Sequence, residues 1–512
     1  MLPLIPVALL CGALASAHQT CVVPHGGKGV NDAIALKSLL SNCSTDATIV
    51  FQEKTTYNIS TPVVMSNLSN VEIQILGNLD LPKSIPYVQA AVNASGGRLY
   101  WFTVSGNNVT LSGNQDEEWG WVDSYGVPWW QAAAYTQPLG GLLNRPHGWS
   151  IQANNSVVRW LKLRKPIAWN LAITGNNNHI YGNKIDAAYD LDTPSVFPFN
   201  TDGYDISGNN VLVEDSWVFN GDDCIAVNKG NNITFRNSVC IGGHGASVSA
   251  TTGVSNVLIN NITSKNSLYA TRFKSSLNSV TWSNIHVHNA TFPIFATGVY
   301  FDQNTNRGLT PGNYPANSTA THISNFEWIN VTGTINDVYP GDGSCVTNPC
   351  WYYVANVTKN AGVTMQLLNG TATNIRVLNA HLKPIDGQGE SDVLCDPRSF
   401  TDGTANLGFN LGVLVLYDHP PDFMPSRAHD PDSTRLEPSL QKHLPNYGGG
   451  GDNGALQHAQ VPAAGDPVNN YPGNAQRRHD LPLAAFPAQS TPFTITSREP
   501  AVYETELGPV LV

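Results

Sequence analysis

Three aspartates sit in tight settings in a chain whose charged residues make up only 13% of the total. Asp202 lies in "FNTDGYD", and Asp222 and Asp223 are adjacent in "FNGDDCIAVN". Downstream come His244 in "GGHG" and the pair Arg272 and Lys274 in "RFK". Crowded carboxylates push one pKa up, so one is protonated while another stays ionised near working pH. That combination suits hydrolysis of a glycosidic bond, which needs a proton for the leaving oxygen and a base for the attacking water. Aspartates in corners can equally cap turns or hold calcium. Spacing alone leaves both readings open.

What must position these groups is a repeat. Short β-type runs are introduced by Asn, as in "NNVTLSG", "NNVLVEDSWV", "NNITFRNSV", "SNVLINNIT" and "NSVTWSNIHV", with the alternation of half-buried strands. Val211, Ile233, Val257 and Val280 follow one another at intervals of 22, 24 and 23 residues, and the 46 residues from Val280 to Phe326 read as two further steps. Regular strands at this period predict an all-β fold, a right-handed parallel β-helix, with Asn supplying left-handed corners. A β-sandwich would show closer strand spacing and hairpin turns. "NDAIALKSLLSNC", from Asn31 to Cys43, reads as an amphipathic helix capping the N-terminal end.

In such a solenoid, residues one coil apart become neighbours at about 4.8 Å. Asp202 to Asp222 is 20 residues and Asp223 to His244 is 21, with Arg272 and Lys274 one longer coil on. All six groups therefore converge on one face. Arg272 and Lys274, two residues apart, project to the same side. Gly221 permits a bend that turns both Asp222 and Asp223 outward.

The 512 residues carry a net charge of −11, which argues against a nucleic-acid partner. Residues 1–17 are apolar and end in small residues, the pattern of a secretory signal peptide. No other run is long enough to span a bilayer, so a soluble, secreted, extracellular monomer is expected. Thirteen Asn-x-Ser/Thr sequons agree. Residues 18–417 form the expected β-helix domain. Residues 418–512 are rich in Pro, Gly and His without periodicity and read as a disordered tail. Among eight cysteines, Cys11 lies in the signal segment, and near pairs suggest Cys21–Cys43, Cys224–Cys240 and Cys345–Cys350, leaving Cys395 over. No Cys-x-x-Cys pair suggests zinc, and neither a metal nor a cofactor is expected.

"NTDG" at 200–203, "GDDC" at 221–224, "GGHG" at 242–245 and "RFK" at 272–274 stand in the order and near the intervals of four motifs. In this the chain resembles the polygalacturonases, glycoside hydrolase family 28, from Cys21 to about Gly412. The resemblance implies inverting hydrolysis of the α-1,4-linked galacturonic acid of pectin. It makes Asp222 the general acid, Asp202 and Asp223 the groups that hold and deprotonate water, and His244 their hydrogen-bonding aid. Arg272 and Lys274, with Asn200 in the first motif, would bind the substrate carboxylates. It also implies a Cys224–Cys240 disulfide bracing the acid pair. For an inverting pair, the donor and base carboxyls should lie roughly 6.5–9.5 Å apart.

Gly221 before the Asp pair resembles exo-acting members, whereas endo-acting ones commonly carry Gln there. An endo-polygalacturonase, a rhamnogalacturonan or xylogalacturonan hydrolase, a pectate lyase and a non-catalytic carbohydrate-binding β-helix are the rival readings. Thr305 departs from an aromatic residue common in the family. Trp119, Trp121, Trp129 and Trp130 read as loop packing rather than sugar stacking, and Asp205, His286 and His288 as structural.

Overall fold

The computed structural model describes residues 18–133, 144–189, 196–249, 253–274, 277–298, 322–338, 357–387, 391–407 and 414–415. The expected signal peptide, the Cys345–Cys350 pair, Thr305 and the tail from 418 lie outside the described residues.

Strand pairs with strand in parallel, coil upon coil, throughout the described residues. The repeat read from the sequence is the register itself. Val211 pairs with Ile233, Ile233 with Val257 and Val257 with Val280, and all four side chains are buried. The chain is a parallel β-helix, and alternation sends every second residue of each strand into one long apolar core. Like side chains stack inside it, as in Phe102 on Trp149 (4.1 Å between centroids) and Trp282 on Trp328 (4.8 Å).

One interval is corrected. Val280 pairs directly with Phe326, so the 46 residues between them make a single coil rather than two. A multiple of the period cannot tell an inserted loop from an extra turn; hydrogen-bond register can.

The corners explain the abundance of Asn. Asn70, Asn108, Asn155, Asn177, Asn210 and Asn232 all have φ between 51° and 58°, the left-handed region. Their amides link the coils: Asn210 donates to Asn177 at 2.8 Å, and Asn232 to Asn210 at 3.1 Å. The expected helix spans Asp32–Leu40, with Asn31 capping it through the Ala33 N–H. It packs on the strand Val63–Ile75 through buried Ala33 and Leu36. Cys21–Cys43 and Cys224–Cys240 are disulfides, and Cys395 is a buried thiol whose pKa burial pushes up to about 11. Trp121, Trp129 and Trp130 are buried, as loop packing requires.

Candidate active site

The site grows from one position repeated in successive coils. Asp202, Asp223 and His244 each stand two residues before Tyr204, Ile225 and Ala246, which are paired in register. Asp202 therefore stacks on Asp223 rather than on Asp222, and the Gly203 N–H donates to the Asp223 carbonyl at 2.8 Å. Glycine lets the next coil come close enough. At Gly245 φ is +65°, and a Cβ there would lie 2.3 Å from the Tyr269 carbonyl; at Gly243 one would lie 2.2 Å from the Asp222 carbonyl. The glycines around His244 thus let its Nδ1 reach Asp222 Oδ1 at 3.1 Å.

The two neighbouring aspartates have different surroundings. Asp223 has a side chain only 2% exposed, and its oxygens accept from Arg272, from Ser247 Oγ at 2.5 Å and from Lys274 Nζ at 2.8 Å. Burial raises its proton affinity, but Arg272 and Lys274 outweigh burial and hold it below the usual carboxylate range. Asp222 is more open, at 15%. It accepts from His244, from the Asp223 N–H at 2.8 Å and from Asn200 Nδ2 at 3.1 Å, with Arg272 3.8 Å away. Burial pulls it up, while the charges on His244, Arg272 and Lys274 pull it further down. Asp202 moves the other way: burial first, then the charge of Asp222, pushes it well above its ordinary value, and its Oδ1 is buried without a partner among the described residues.

Asn200, Asp202, Asp222, Asp223, His244, Arg272 and Lys274 are therefore brought together, with two differences from expectation. Arg272 and Lys274 both anchor on Asp223, because a carboxylate this deeply buried must be paired. Oxygen atoms of Asp222 and Asp223 lie within 4.8 Å of each other, since a backbone hydrogen bond and shared attraction to Arg272 draw them in. Asp205, read as structural, lies buried in the same electrostatic field.

One residue was missed. Arg145 donates to the Phe199 carbonyl at 2.6 Å and to Asn200 Oδ1 at 2.5 Å. Guanidinium only donates, so it fixes the Asn200 amide with its Nδ2 facing Asp222. Burial pulls Arg145 down to about 10 against the opposing charges of Asp222 and Asp202. No motif marks it; it lies 55 residues before Asn200. Asp222, Asp223 and His244 could also offer donor atoms to a cation, but one there would face Arg272 and Lys274.

Asp205 carries a pH signature. Burial, then the charges of Asp223 and Asp222, pushes it up to about 8, against Asn228 donating to its Oδ1 at 3.2 Å. The folded state keeps a proton that the unfolded chain releases above about 4, so this group lowers stability as pH rises towards 8, by at most about 1.4 kcal/mol per unit. Asp205→Asn should flatten the fall of Tm between pH 4 and 8 relative to wild type. Parallel melting curves would show that Asp205 keeps no proton.

Comparison with known proteins bears on the family and the fold. The family profile "Glycosyl hydrolases family 28" matches residues 11–351. A protein of Aspergillus niger named "Probable exopolygalacturonase C" is 40% identical over 361 residues, 66% of this chain and 79% of its own. Its namesake in Aspergillus flavus is 35% identical over 438 residues, 80% of this chain and 95% of its own. Among solved structures, an endo-xylogalacturonan hydrolase of Aspergillus tubingensis has a TM-score of 0.61 at 22% identity, covering 78% of this chain and 99% of its own. A polygalacturonase of Erwinia carotovora has 0.52 at 18%, covering 72% and 94%. These two likenesses are of fold.

Proposed function

The chain belongs to glycosyl hydrolases family 28, and on that premise we propose that it is a secreted, inverting exo-polygalacturonase removing galacturonic acid from chain ends of pectin. It is a glycoside hydrolase. The observation that carries the reading is the pairing of Asp222 with Asp223. Asp222 is the more open carboxylate and is backed by His244, whereas Asp223 is held ionised by two cations. Asp223, with its oxygens committed to Arg272, Ser247 and Lys274, is a poor proton donor. Asp222, whose proton affinity Arg272 and Lys274 lower in the free site, is the proton donor to the glycosidic oxygen once substrate carboxylates engage those two cations. His244 Nδ1 lies 3.1 Å from Asp222 Oδ1, close enough to pass a proton to it. Asp202 and Asp223, stacked in register, hold the attacking water and the ionised Asp223 accepts its proton, while Arg272 and Lys274 face the substrate carboxylates and steady Asp223.

Exo action is supported by Gly221 and by the names of the 35–40% identical relatives. Analysis of early products from polygalacturonic acid tests it. Monomer alone is expected. A ladder of oligomers would mean endo action, unsaturated products a lyase, and no release a different pectin.

A further inference from the structure

The column that carries Asp202, Asp223 and His244 does not begin with them. Trp169 stands two residues before Leu171, His147 two before Trp149 and Tyr100 two before Phe102, as Asp202 stands before Tyr204. Phe102 pairs with Trp149, Trp149 with Leu171 and Leu171 with Tyr204, so the three rings occupy the coils leading up to Asp202. Backbone bonds tie them to it: the Gly148 N–H donates to the Trp169 carbonyl at 2.7 Å, and the Asn170 N–H to the Asp202 carbonyl at 2.9 Å.

The rings touch, with centroids 5.1 Å apart for Tyr100–His147 and 4.5 Å for His147–Trp169. Arg98 is exposed; its guanidinium lies 5.7 Å from the Tyr100 ring and 5.4 Å from the Trp169 ring, and donates to the Tyr100 hydroxyl at 3.0 Å. The adjacent column of Phe102, Trp149 and Leu171 is fully buried, as core packing demands, but this row stays half-open to solvent. His147 Nδ1 is buried with no hydrogen-bond partner among the described residues. Burial, then the charges of Arg98 and Arg145, pushes His147 down to about 4, so its ring is neutral in weak acid and Arg98 carries the charge.

We propose that Arg98, Tyr100, His147 and Trp169 form a binding site for acidic sugar units of the substrate chain next to those at the scissile bond, a proposal that rests on the galacturonan reading above. A polymer laid along the solenoid axis over Asp223 and Asp202 comes next to the coil of Trp169 on this side. Aromatic rings present large, rigid apolar area at low entropic cost, which suits the face of a sugar ring. A guanidinium fork matches a carboxylate. The chain as a whole repels a polyanion at net charge −11, so a local cation beside the aromatic row is what such a polymer requires.

Titration of trigalacturonate, and of its methyl ester, into the catalytically disabled Asp222→Asn protein tests this, with thermal melts to confirm folding. Trp169→Ala in that background should weaken binding by about tenfold or more, and Trp169→Phe should restore most of it. Arg98→Gln should weaken binding of the acid but not of the ester. If Trp169→Ala does not fold, Arg98→Gln decides on its own. A folded Trp169→Ala or Arg98→Gln that binds trigalacturonate within about twofold of the parent would reduce the row to packing. In that outcome the parent still binds and only the row falls; a parent that binds no oligogalacturonate at all would overturn the galacturonan reading along with it.

Discussion

Asp222→Asn should keep the fold and substrate binding and lower kcat on polygalacturonic acid by roughly 100- to 10,000-fold, the usual worth of a positioned proton donor. The amide keeps the shape of the carboxylate and an oxygen for the Asp223 N–H, and gives up only the bond that Asn200 Nδ2 donates to the other oxygen, so the fold is kept. It cannot deliver a proton to the leaving oxygen. A steady-state assay beside a binding titration checks both halves. A variant that still turns over within about tenfold of wild type would move the donor role to Asp202, the carboxyl that burial and Asp222 push up.

Arg272→Met should be the most damaging change to stability. It keeps much of the side-chain bulk but leaves Asp223, 2% exposed, with Lys274 as its remaining cation. Breaking a buried pair by removing one partner costs about 3–5 kcal/mol. The pH dependence identifies the cause. Because the folded pKa of Asp223 is depressed, its contribution is present above the unfolded value near 4 and lost as pH falls through the folded one. The variant's deficit in urea unfolding should therefore be largest at neutral pH and shrink in acid, and Arg272→Lys should recover part of it. A deficit independent of pH would mean that the guanidinium acts by packing alone.

Much of this arrangement is legible in the sequence because a solenoid turns interval into proximity. Once Val211, Ile233 and Val257 set the period, Asp223 and His244 had to meet. Asn at the corners and Gly in "GGHG" report the backbone conformations those positions adopt. Where the period is broken, the reading fails. The Val280–Phe326 coil was doubled because its length happens to be a multiple of the repeat. Asp202 was stacked on Asp222 instead of Asp223 because one residue of slip in a corner leaves no trace in spacing. Arg145 reaches Asn200 from a segment without a motif, and Tyr100, His147 and Trp169 share the catalytic column without sharing its chemistry. Only register connects them.

Stereochemistry tests most directly whether Asp222 protonates the leaving oxygen while Asp202 and Asp223 direct water from the opposite side. One oxygen of Asp222 comes within 4.8 Å of one of Asp223, and Asp202, stacked on Asp223, helps to hold the water. Proton NMR of a fresh polygalacturonic acid digest, read before mutarotation, decides it. The β-anomer of galacturonic acid should appear first. Initial release of the α-anomer would mean a covalent glycosyl intermediate and would contradict the account.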